Sequence, residues 1–447
     1  MRRRWFDFTP AQALAASIGG LVAAGTILLA LPFASSGERL SWIDALFTAT
    51  SAVCVTGLIV VDTPRDLSVA GQSIVMLLIQ AGGLGYMTIT TVVATALGKR
   101  LSLGERLTLQ EALNLQSGEG LVQFTLSVLR LTLVFELAGA AVLALWWWQD
   151  MGAGRAAYFG LFHSISAFNN AGFALFSDSL VGFRADPVVN LVISILFVCG
   201  GLGFVVLTEL IRFRRGARLS LHTRLVLVLS AALIAGGTAA IYLLERGNPE
   251  TLGSVPPGEA AWAAYFQSVT TRTAGFNTIN LADMHVATLF VVMVLMFIGA
   301  SPGGTGGGVK TTTFGITVAA LWTTVRGDDE TVLFGRRLAP ALVARAFFIS
   351  LIAFLALNIV AGLVLVLEDL PLLEVLFETT SAFGTVGLSM AAGSTVSLSS
   401  QFAPASKLLI VLMIFAGRVG PLTLAVALAQ RRRKPRLRYP EGSVLIG

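Results

Sequence analysis

The stretch SAFNNAGF, at residues 166–173, occurs in four related versions along the chain. The other three are SAVCVTGL at 51–58, VTTRTAGF at 269–276 and SAFGTVGL at 381–388. In each version a glycine directly precedes Leu or Phe, and successive glycines lie close to a quarter of the chain apart, at Gly57, Gly172, Gly275 and Gly387. Self-similarity at a fixed period is the signature of a repeat architecture, so the sequence predicts four like units.

The flanks of the four glycines repeat as well. An aromatic residue precedes each glycine at the same distance, at Phe47, Phe162, Tyr265 and Phe377. A serine lies nearer to the glycine in three versions, at Ser51, Ser166 and Ser381, whereas Val269 takes this place in the third version. A second echo follows, as GGLG at 82–85 and 200–203 and GRVG at 417–420. These shared flanks argue against the alternative that the glycines are unrelated turn residues.

The composition places the chain in a membrane. Of the 447 residues, 55% are hydrophobic and 13% are charged, whereas about 25% of the residues of a soluble domain are charged. Two cysteines, Cys54 and Cys199, and three separated histidines form no disulfide framework and no metal-binding motif. The sequence contains no HExxH motif, so it does not favour an enzyme of that metal-dependent class.

Eight apolar segments are long enough, or nearly so, to cross the ~30 Å hydrocarbon core of a bilayer. They lie at about 11–33, 70–98, 121–147, 187–211, 221–244, 286–325, 341–367 and 406–430, and Gly and Pro interrupt the sixth. Basic clusters occupy both termini and every second connection, around residues 99–106, 212–218, 326–337 and 431–434. By the positive-inside rule we expect both termini in the cytoplasm. The basic excess is therefore a topology signal, and no nucleic-acid partner is expected.

Each repeat reads as a span, a short helix, a glycine turn and a second span. The predicted fold is all-α and integral to the membrane, with four parallel span–pore helix–span repeats: eight transmembrane helices and four re-entrant P-loops around a pseudo-fourfold pore. The predicted units are repeat 1 at 1–100, repeat 2 at 101–215, repeat 3 at 216–330, repeat 4 at 331–430, and a cytoplasmic basic tail at 431–447. Two crossings per unit keep all four in one orientation, unlike the inverted repeats of many secondary carriers.

The glycine turns are suited to holding a cation. Non-helical backbone at membrane depth is tolerated where it lines a water-filled cavity, and its carbonyl oxygens can replace the hydration shell of a cation. Glycine permits the positive φ that such a turn needs. The helix before each turn directs its partly negative C-terminal end at the centre. The residues thus predict a pore, or a pore-like carrier, for monovalent cations.

Several strings resemble a known family. FNNAGF at 168–173, TTRTAGFNT at 270–278 and GASPGGTGGGVKTTTF at 299–314 are similar to segments of the Trk/Ktr/HKT superfamily of potassium transporters, most closely the bacterial KtrB-type membrane subunit. The resemblance covers about residues 11–430. In that superfamily a glycine in all four filter segments implies a preference for K⁺, while a serine in the first accompanies Na⁺ transport. The four glycines of this chain therefore imply K⁺.

The resemblance also implies which residues bind the ion. The K⁺ selectivity filter would consist of the backbone carbonyls of four segments. These are Cys54, Val55, Thr56 and Gly57; Asn169, Asn170, Ala171 and Gly172; Thr273, Ala274 and Gly275; and Thr385, Val386 and Gly387. The side chains are expected to point away from the ion, which is why they differ from one segment to the next.

The glycine-rich string in the sixth span is expected to be a gate. It is not a nucleotide-binding P-loop, because Val309 stands where a Walker A motif needs a glycine before the lysine. By the resemblance, residues 299–312 are an intramembrane gate loop below the filter, with gate residues Gly303, Gly304, Thr305, Gly306, Gly307, Gly308 and Lys310. Arg418 would line the pore beside it, since a mid-span arginine must face the interior. A packing kink and an arginine paired with an acid remain as alternatives.

The resemblance implies partners as well. It implies a homodimer in the bacterial plasma membrane and a cytosolic ring of RCK-type regulatory subunits that binds ATP or ADP. The chain itself is expected to need no cofactor beyond the transported K⁺. The choice between a channel and a symporter stays open, as does Na⁺ as a coupling or activating ion. The alternative function is a secondary carrier for another cation or a small solute.

Two further polar residues lie in the second quarter of the chain. Glu136, in the third span, is unexplained by the sequence and could serve as a hydrogen-bonding residue in packing. His163 lies just ahead of the second glycine turn, and the sequence leaves two interpretations open: a place at the outer mouth, or the structural role that a lone histidine usually has.

Overall fold

The structure is a computed structural model that describes residues 10–85, 121–213, 218–391 and 395–420. The chain is almost entirely helical there. The helices are α1 Pro10–Leu29, α2 Trp42–Val53, α3 Thr63–Asp66, α4 Val69–Leu84, α5 Leu121–Met151, α6 Ala153–Phe168, α7 Pro187–Leu202, α8 Phe204–Phe213, α9 Leu221–Glu245, α10 Pro257–Thr270, α11 Val286–Phe297, α12 Thr311–Arg326, α13 Pro340–Leu367, α14 Leu372–Gly384 and α15 Pro404–Val419. Strands β1 Val332–Leu333 and β2 Arg336–Arg337 form a small antiparallel hairpin.

Four of the described helices are long and apolar enough to cross a membrane. They are α1, α5, α9 and α13, and they coincide with the predicted first, third, fifth and seventh spans, although α5 continues to Met151. Their outer faces expose large apolar side chains, such as Leu145 at 66% and Val366 at 83% of the full accessible area. Apolar exposure on this scale is typical of a lipid-facing surface. The chain is an integral membrane protein.

A short, deeply buried helix follows each long one. These are α2, α6, α10 and α14, and their C-terminal halves are buried almost without exception. The first of them begins where the hydroxyl of Ser41 accepts a hydrogen bond of 3.1 Å from the Asp44 amide, the usual N-cap. A helix that ends inside the bundle delivers its C-terminus, and the segment that follows, to the centre of the protein.

The helices after the short ones end earlier than the sequence predicted. Residues 187–211 were expected to form one continuous span, but α7 and α8 meet at Gly203 with a bend of 101°. Gly203 has a φ of 94°, which a right-handed helix cannot accommodate. Gly85 and Gly420 take the same role, with φ of 78° and 91°. The GGLG and GRVG echo therefore marks helix ends, and the rest of the predicted spans 70–98 and 406–430 lies outside the described residues.

The fourth quarter of the chain closes onto the first. The ammonium of Lys407 lies 2.8 Å from a carboxylate oxygen of Asp44. Beside this pair, the amide of Ser397 donates to the Ile59 carbonyl over 2.8 Å, and the Ile59 amide donates back to the Ser397 hydroxyl over 2.9 Å. These contacts join residues from opposite ends of the chain, so the four quarters enclose a common centre.

Candidate functional site

The segment after each short helix has an unusual backbone. Two residues before each glycine lies a non-glycine residue with positive φ, at Val55 (50°), Asn170 (58°), Thr273 (68°) and Thr385 (50°). Three of the four are β-branched, for which this conformation is a genuine outlier. The glycines themselves have φ between 70° and 97°. Strained backbone of this kind concentrates at functional sites, and here it recurs at the same position in all four segments.

The four glycines meet in a closed ring. A Cβ atom added to Gly57 would lie 3.0 Å from the Cα of Gly172, and one added to Gly172 would lie 3.0 Å from the Cα of Gly275. In the same way, a Cβ atom added to Gly275 would lie 3.3 Å from the Cα of Gly387, and one added to Gly387 would lie 3.0 Å from the Cα of Gly57, which closes the ring. We call this set of four residues the glycine ring. The structure thus brings together the four glycines that the sequence singled out.

The glycine ring also carries a ring of carbonyl oxygens. A side chain on any of the four glycines would strike the carbonyl oxygen of the residue before the next glycine. These oxygens belong to Ala171, Ala274, Val386 and Thr56, in the order met from Gly57 onward. Glycine is therefore required twice, by the positive φ and by the lack of space for a Cβ. Four carbonyl oxygens around one axis form a site that can bind a cation without its water.

Serine hydroxyls hold two of the four segments in place. Ser51 accepts a hydrogen bond of 3.1 Å from the Gly57 amide, and Ser381 accepts one of 3.1 Å from the Gly387 amide. In the second segment the hydroxyl of Ser166 instead donates to the Phe173 carbonyl over 2.7 Å. The serine column seen in the sequence is therefore a set of supports directly behind the glycine ring.

In the third segment the supporting residues are shifted by one position. Thr270, not Val269, donates its hydroxyl to the Phe276 carbonyl over 2.6 Å. The buried aromatic side chain is shifted at the same place, because Phe266 is fully buried whereas Tyr265 is only half-buried. The backbone explains both differences: the Ala274 amide bonds the carbonyl four residues back, whereas the other three segments bond five back. The third segment is thus one residue tighter.

A buried carboxylate supports the second segment from behind. Glu136, in α5, is 3% exposed and accepts hydrogen bonds from the Asn169 amide (2.9 Å) and the Gln80 amide (3.1 Å). Asn169 also donates to the Gln80 carbonyl oxygen over 3.1 Å, which closes a triangle. Asn169 caps the end of α6 and begins the segment that leads to Gly172. Glu136 is therefore a packing residue that fixes this segment, which is the hydrogen-bonding role that the sequence analysis suggested for it.

His163 takes the structural role and does not lie at the outer mouth, so the second of the two interpretations from the sequence is confirmed. Its ring is fully buried against Trp147, Phe159 and Phe176. One ring nitrogen lies 2.7 Å from the Phe159 carbonyl, and the other accepts a hydrogen bond of 3.2 Å from the Leu175 amide. The aromatic packing around α6 keeps the ring out of the cavity, so His163 braces the chain that leaves the glycine ring.

Glu378, which the sequence analysis did not single out, takes in the fourth quarter the place that His163 has in the second. It lies in α14, is fully buried, and accepts hydrogen bonds from the hydroxyls of Ser389 (2.6 Å) and Ser399 and from the Ser399 amide (2.9 Å). Aligning the four segments on their glycines puts Glu378 level with His163. That alignment was the one signal that could have found it.

The glycine-rich loop, residues 299–310, lies against the segments of the glycine ring. It connects α11 and α12 and is held by backbone bonds from Ser301 to Gly201 (3.0 Å) and from Gly308 to Gly417 (3.3 Å). The hydroxyl of Thr305 donates to the Asn170 side chain over 2.6 Å. The Gly307 amide donates to the Thr385 hydroxyl over 2.9 Å. The loop thus contacts two of the four segments through hydrogen bonds.

Two basic side chains hold this loop. The guanidinium of Arg418, near the end of α15, donates to the Thr305 carbonyl in the loop and to the Gly82 carbonyl in α4. The ammonium of Lys310 donates to the Gly306 carbonyl over 2.7 Å, within the loop itself. Arg418 is thus bonded to carbonyl oxygens, and the salt bridges found among the described residues do not include it. The alternative of an arginine paired with an acid finds no support there.

On the side away from the glycine-rich loop, the glycine ring opens into a cavity of about 350 Å³. All four ring glycines line it, together with polar residues from the segments that follow them, among them Asp62, Asp178, Asn280, Ser389 and Ser397. The site as a whole is therefore a cavity, a ring of carbonyl oxygens and a glycine-rich loop in series.

The fold and this series define a membrane transport protein. The chain belongs to the TrkH family of cation transport proteins, whose family model matches residues 20–436. This membership confirms the predicted resemblance to the Trk/Ktr/HKT superfamily. It also confirms the interpretation of the chain as a transporter and not an enzyme.

Individual relatives are similar over nearly the full chain. The Ktr system potassium uptake protein B of Bacillus subtilis (strain 168) is 40% identical over 99% of this chain and 98% of its own. The protein of the same name from Vibrio alginolyticus is 43% identical, over 96% and 93%. The potassium/sodium uptake protein NtpJ of Enterococcus hirae is 37% identical, over 98% and 97%.

A solved structure shares the fold. The crystal structure of the potassium transporter TrkH from Vibrio parahaemolyticus superimposes with a TM-score of 0.75. The match covers 96% of this chain and 86% of that one, at 19% sequence identity. At this identity the likeness shows the helical membrane fold alone.

Proposed function

We propose that this chain is the ion-translocating subunit of a potassium uptake system. The names of three relatives support potassium as the ion, since two are potassium uptake proteins and the third is a potassium/sodium uptake protein. The alternative of a carrier for a small organic solute has less support, because none of these three names mentions an organic solute. K⁺ would pass from the outer cavity through the ring and then past the glycine-rich loop.

The closed ring of Gly57, Gly172, Gly275 and Gly387 is the observation that carries this proposal. The four segments that contain these glycines would be the selectivity filter. Their carbonyl oxygens would replace the water around the ion, and fixed backbone would discriminate between ions that differ in size or in preferred coordination. The C-terminal ends of α2, α6, α10 and α14 would add negative potential at the same point.

The glycine-rich loop with Arg418 and Lys310 would be the gate. The loop contacts the filter segments of the second and fourth quarters through Asn170 and Thr385. A positive charge beside the path raises the barrier for a passing cation, because like charges repel strongly where little water is present. Arg418 would therefore restrict flow both by its charge and by its hydrogen bond to the loop.

The remaining predictions about topology and assembly are part of the same proposal. The protein would have eight transmembrane helices and four re-entrant segments in quarters at 1–100, 101–215, 216–330 and 331–430, with both termini in the cytoplasm. It would act in the bacterial inner membrane as a homodimer. A cytosolic RCK-type ring that binds ATP or ADP would regulate the gate loop. The names of two relatives, which place them in a Ktr system, support the existence of partner components.

The proposal is tested by rescue of K⁺-limited growth in a host that lacks its own uptake systems, with the regulatory partner supplied. Wild type, Gly57→Ser and Gly236→Ser would be compared at matched expression. Gly236 has no atom within 4 Å of an added Cβ, so its variant controls for the substitution itself. We expect rescue by wild type and by Gly236→Ser, and a lower K⁺ to Na⁺ uptake ratio in Gly57→Ser.

The outcomes separate the parts of the proposal. Absence of rescue by well-expressed wild type would reject potassium uptake as the function. Rescue with unchanged selectivity in Gly57→Ser would reject only the filter role of that glycine. Uptake measured with and without external Na⁺ would show whether Na⁺ is a coupling or activating ion.

A further inference from the structure

The outer cavity contains a carboxylate that the fold itself does not use. Asp62 is the residue before α3, the N-cap position, where an aspartate normally accepts bonds from the first backbone amides of the helix. Its side chain makes no such bond. Instead the position is fixed through the backbone, because the Asp62 amide donates to a carboxylate oxygen of Asp66 over 2.7 Å. Asp66 thus holds the backbone at this position, and the Asp62 carboxylate takes no part in capping the helix.

This carboxylate is buried and short of donors. Asp62 is 4% exposed, and neither of its oxygens accepts a hydrogen bond from any residue that the structure describes. The residue lines the cavity above the glycine ring, with both carboxylate oxygens covered and the Arg65 Nε at 3.5 Å from one of them, so an ion reaches them once Arg65 moves. A buried charge without donors is costly unless a charge of opposite sign compensates it. A cation bound beside Asp62 would supply this compensating charge.

One cation is already nearby, but it is a weak partner. The Nε of Arg65 lies 3.5 Å from an Asp62 oxygen, which is an ion-pair distance without a hydrogen bond. The Arg65 side chain is 71% exposed, so its charge is well hydrated. Exposed pairs of this kind contribute little. The pair is one that a second, less hydrated cation in the cavity could displace.

We propose that Asp62 forms an outer binding site for an alkali metal cation, which the ion occupies before it enters the glycine ring. This inference rests on the proposed function. The neighbouring oxygens in the cavity are neutral, from Ser389, Ser397 and Asn280, apart from the exposed Asp178. One buried carboxylate with neutral oxygens suits a single positive charge, whereas divalent cations usually bind several carboxylates. Arg65 would compete with the ion for Asp62.

The test is the concentration dependence of Rb⁺ uptake by the full chain in cells or proteoliposomes. Asp62→Asn keeps the shape and removes the charge, and we expect the half-saturating Rb⁺ concentration to rise by about fivefold or more, since a charged cleft concentrates counter-ions. Arg65→Gln removes the competitor, so half-saturation is expected at a lower concentration. Asp178→Asn removes an exposed acid in the same cavity and is expected to have a smaller effect than Asp62→Asn.

The maximal rate and the K⁺ to Na⁺ ratio should stay unchanged in all three variants, because the glycine ring is intact. Unchanged half-saturation in Asp62→Asn would overturn the site, and so would a change confined to the maximal rate or to selectivity. If Asp62→Asn does not reach the membrane, Arg65→Gln decides: half-saturation that stays constant or rises would overturn the proposal. Competition by Ca²⁺ that Asp62→Asn abolishes would identify a divalent site instead. Failure of wild type to take up Rb⁺ would count against the proposed function and not against this site alone.

Discussion

Glu136 accepts a hydrogen bond of 2.9 Å from the side-chain amide of Asn169. This contact joins a carboxylate in the middle of the long helix α5 to the residue where the short helix α6 ends. Gln80, from α4, bonds both of them. Three elements of the first two quarters thus meet at one point behind the second segment of the glycine ring, and the position of that segment depends on all three.

Removal of this carboxylate should loosen the second segment. Glu136→Ala leaves the amides of Gln80 and Asn169 without their acceptor, at a cost of about 1–3 kcal/mol. We expect a lower thermal midpoint in detergent and a reduced K⁺ to Na⁺ uptake ratio. Glu250→Gln, at an exposed acid, is the control and should change neither. A stable Glu136→Ala protein with wild-type selectivity would show that Asn169 is held sufficiently by α6 itself.

Loss of Arg418 should increase flux. Arg418→Ala removes a positive charge beside the path and the bonds to the Thr305 and Gly82 carbonyls, so uptake is expected to rise. Deletion of residues 303–308 should have the same effect. Arg418→Lys keeps the charge without the forked geometry of a guanidinium and should be intermediate. The readout is initial Rb⁺ uptake at equal expression, with the exposed Arg246→Ala as control, and equal rates in wild type, Arg418→Ala and the deletion would refute the gate.

The one-residue shift in the third segment can be tested by substitutions at two neighbouring threonines. Thr270→Val removes the donor to the Phe276 carbonyl and should cost about 1 kcal/mol as well as lowering selectivity. Thr271→Val is the matched control, because that hydroxyl bonds only its own helix at the Ser268 carbonyl. Thermal stability and the K⁺ to Na⁺ ratio would be measured for both. If Thr271→Val proved the more harmful to selectivity, the shifted register would be wrong.

The bend between α7 and α8 should depend on a single glycine. Gly203→Ala introduces a Cβ at a φ of 94° and against the Pro302 carbonyl, so both strain and a clash oppose it. We expect a loss of about 2 kcal/mol or more in stability together with increased flux, because Pro302 belongs to the glycine-rich loop. Gly236→Ala, with open space around it, should be neutral or mildly stabilising. Thermal unfolding and uptake measured side by side would check this, and a fully stable Gly203→Ala would contradict it.

The glycine ring could be predicted from the sequence because it depends on a pattern that occurs four times. Gly57, Gly172, Gly275 and Gly387 share their flanks, and four like-oriented repeats bring like positions to one axis. The same reasoning located the glycine-rich loop, since five glycines and a proline cannot continue a helix.

Other features could not be predicted, for physical reasons. Helices in membranes tolerate glycine, so GGLG at 200–203 did not by itself indicate the 101° bend. The shift in the third segment lies in a backbone hydrogen bond that is one residue shorter than in the other segments. In the sequence it left only Val269 in the serine column, which did not by itself show that Thr270 takes over. The hydrogen-bonded triangle joins three residues that are far apart in the chain, Gln80, Glu136 and Asn169. The sequence around each of them does not indicate which residues it contacts.

The contact between Gly57 and Gly387 has a consequence for how the protein is made. The first and last quarters emerge from the ribosome far apart in time, and the ring stays open until the fourth quarter has inserted and met the first. A chain whose synthesis stops early has at most three of the four carbonyl-bearing segments, so the ring cannot close. Closure of the ring is therefore one of the last steps in the assembly of the protein.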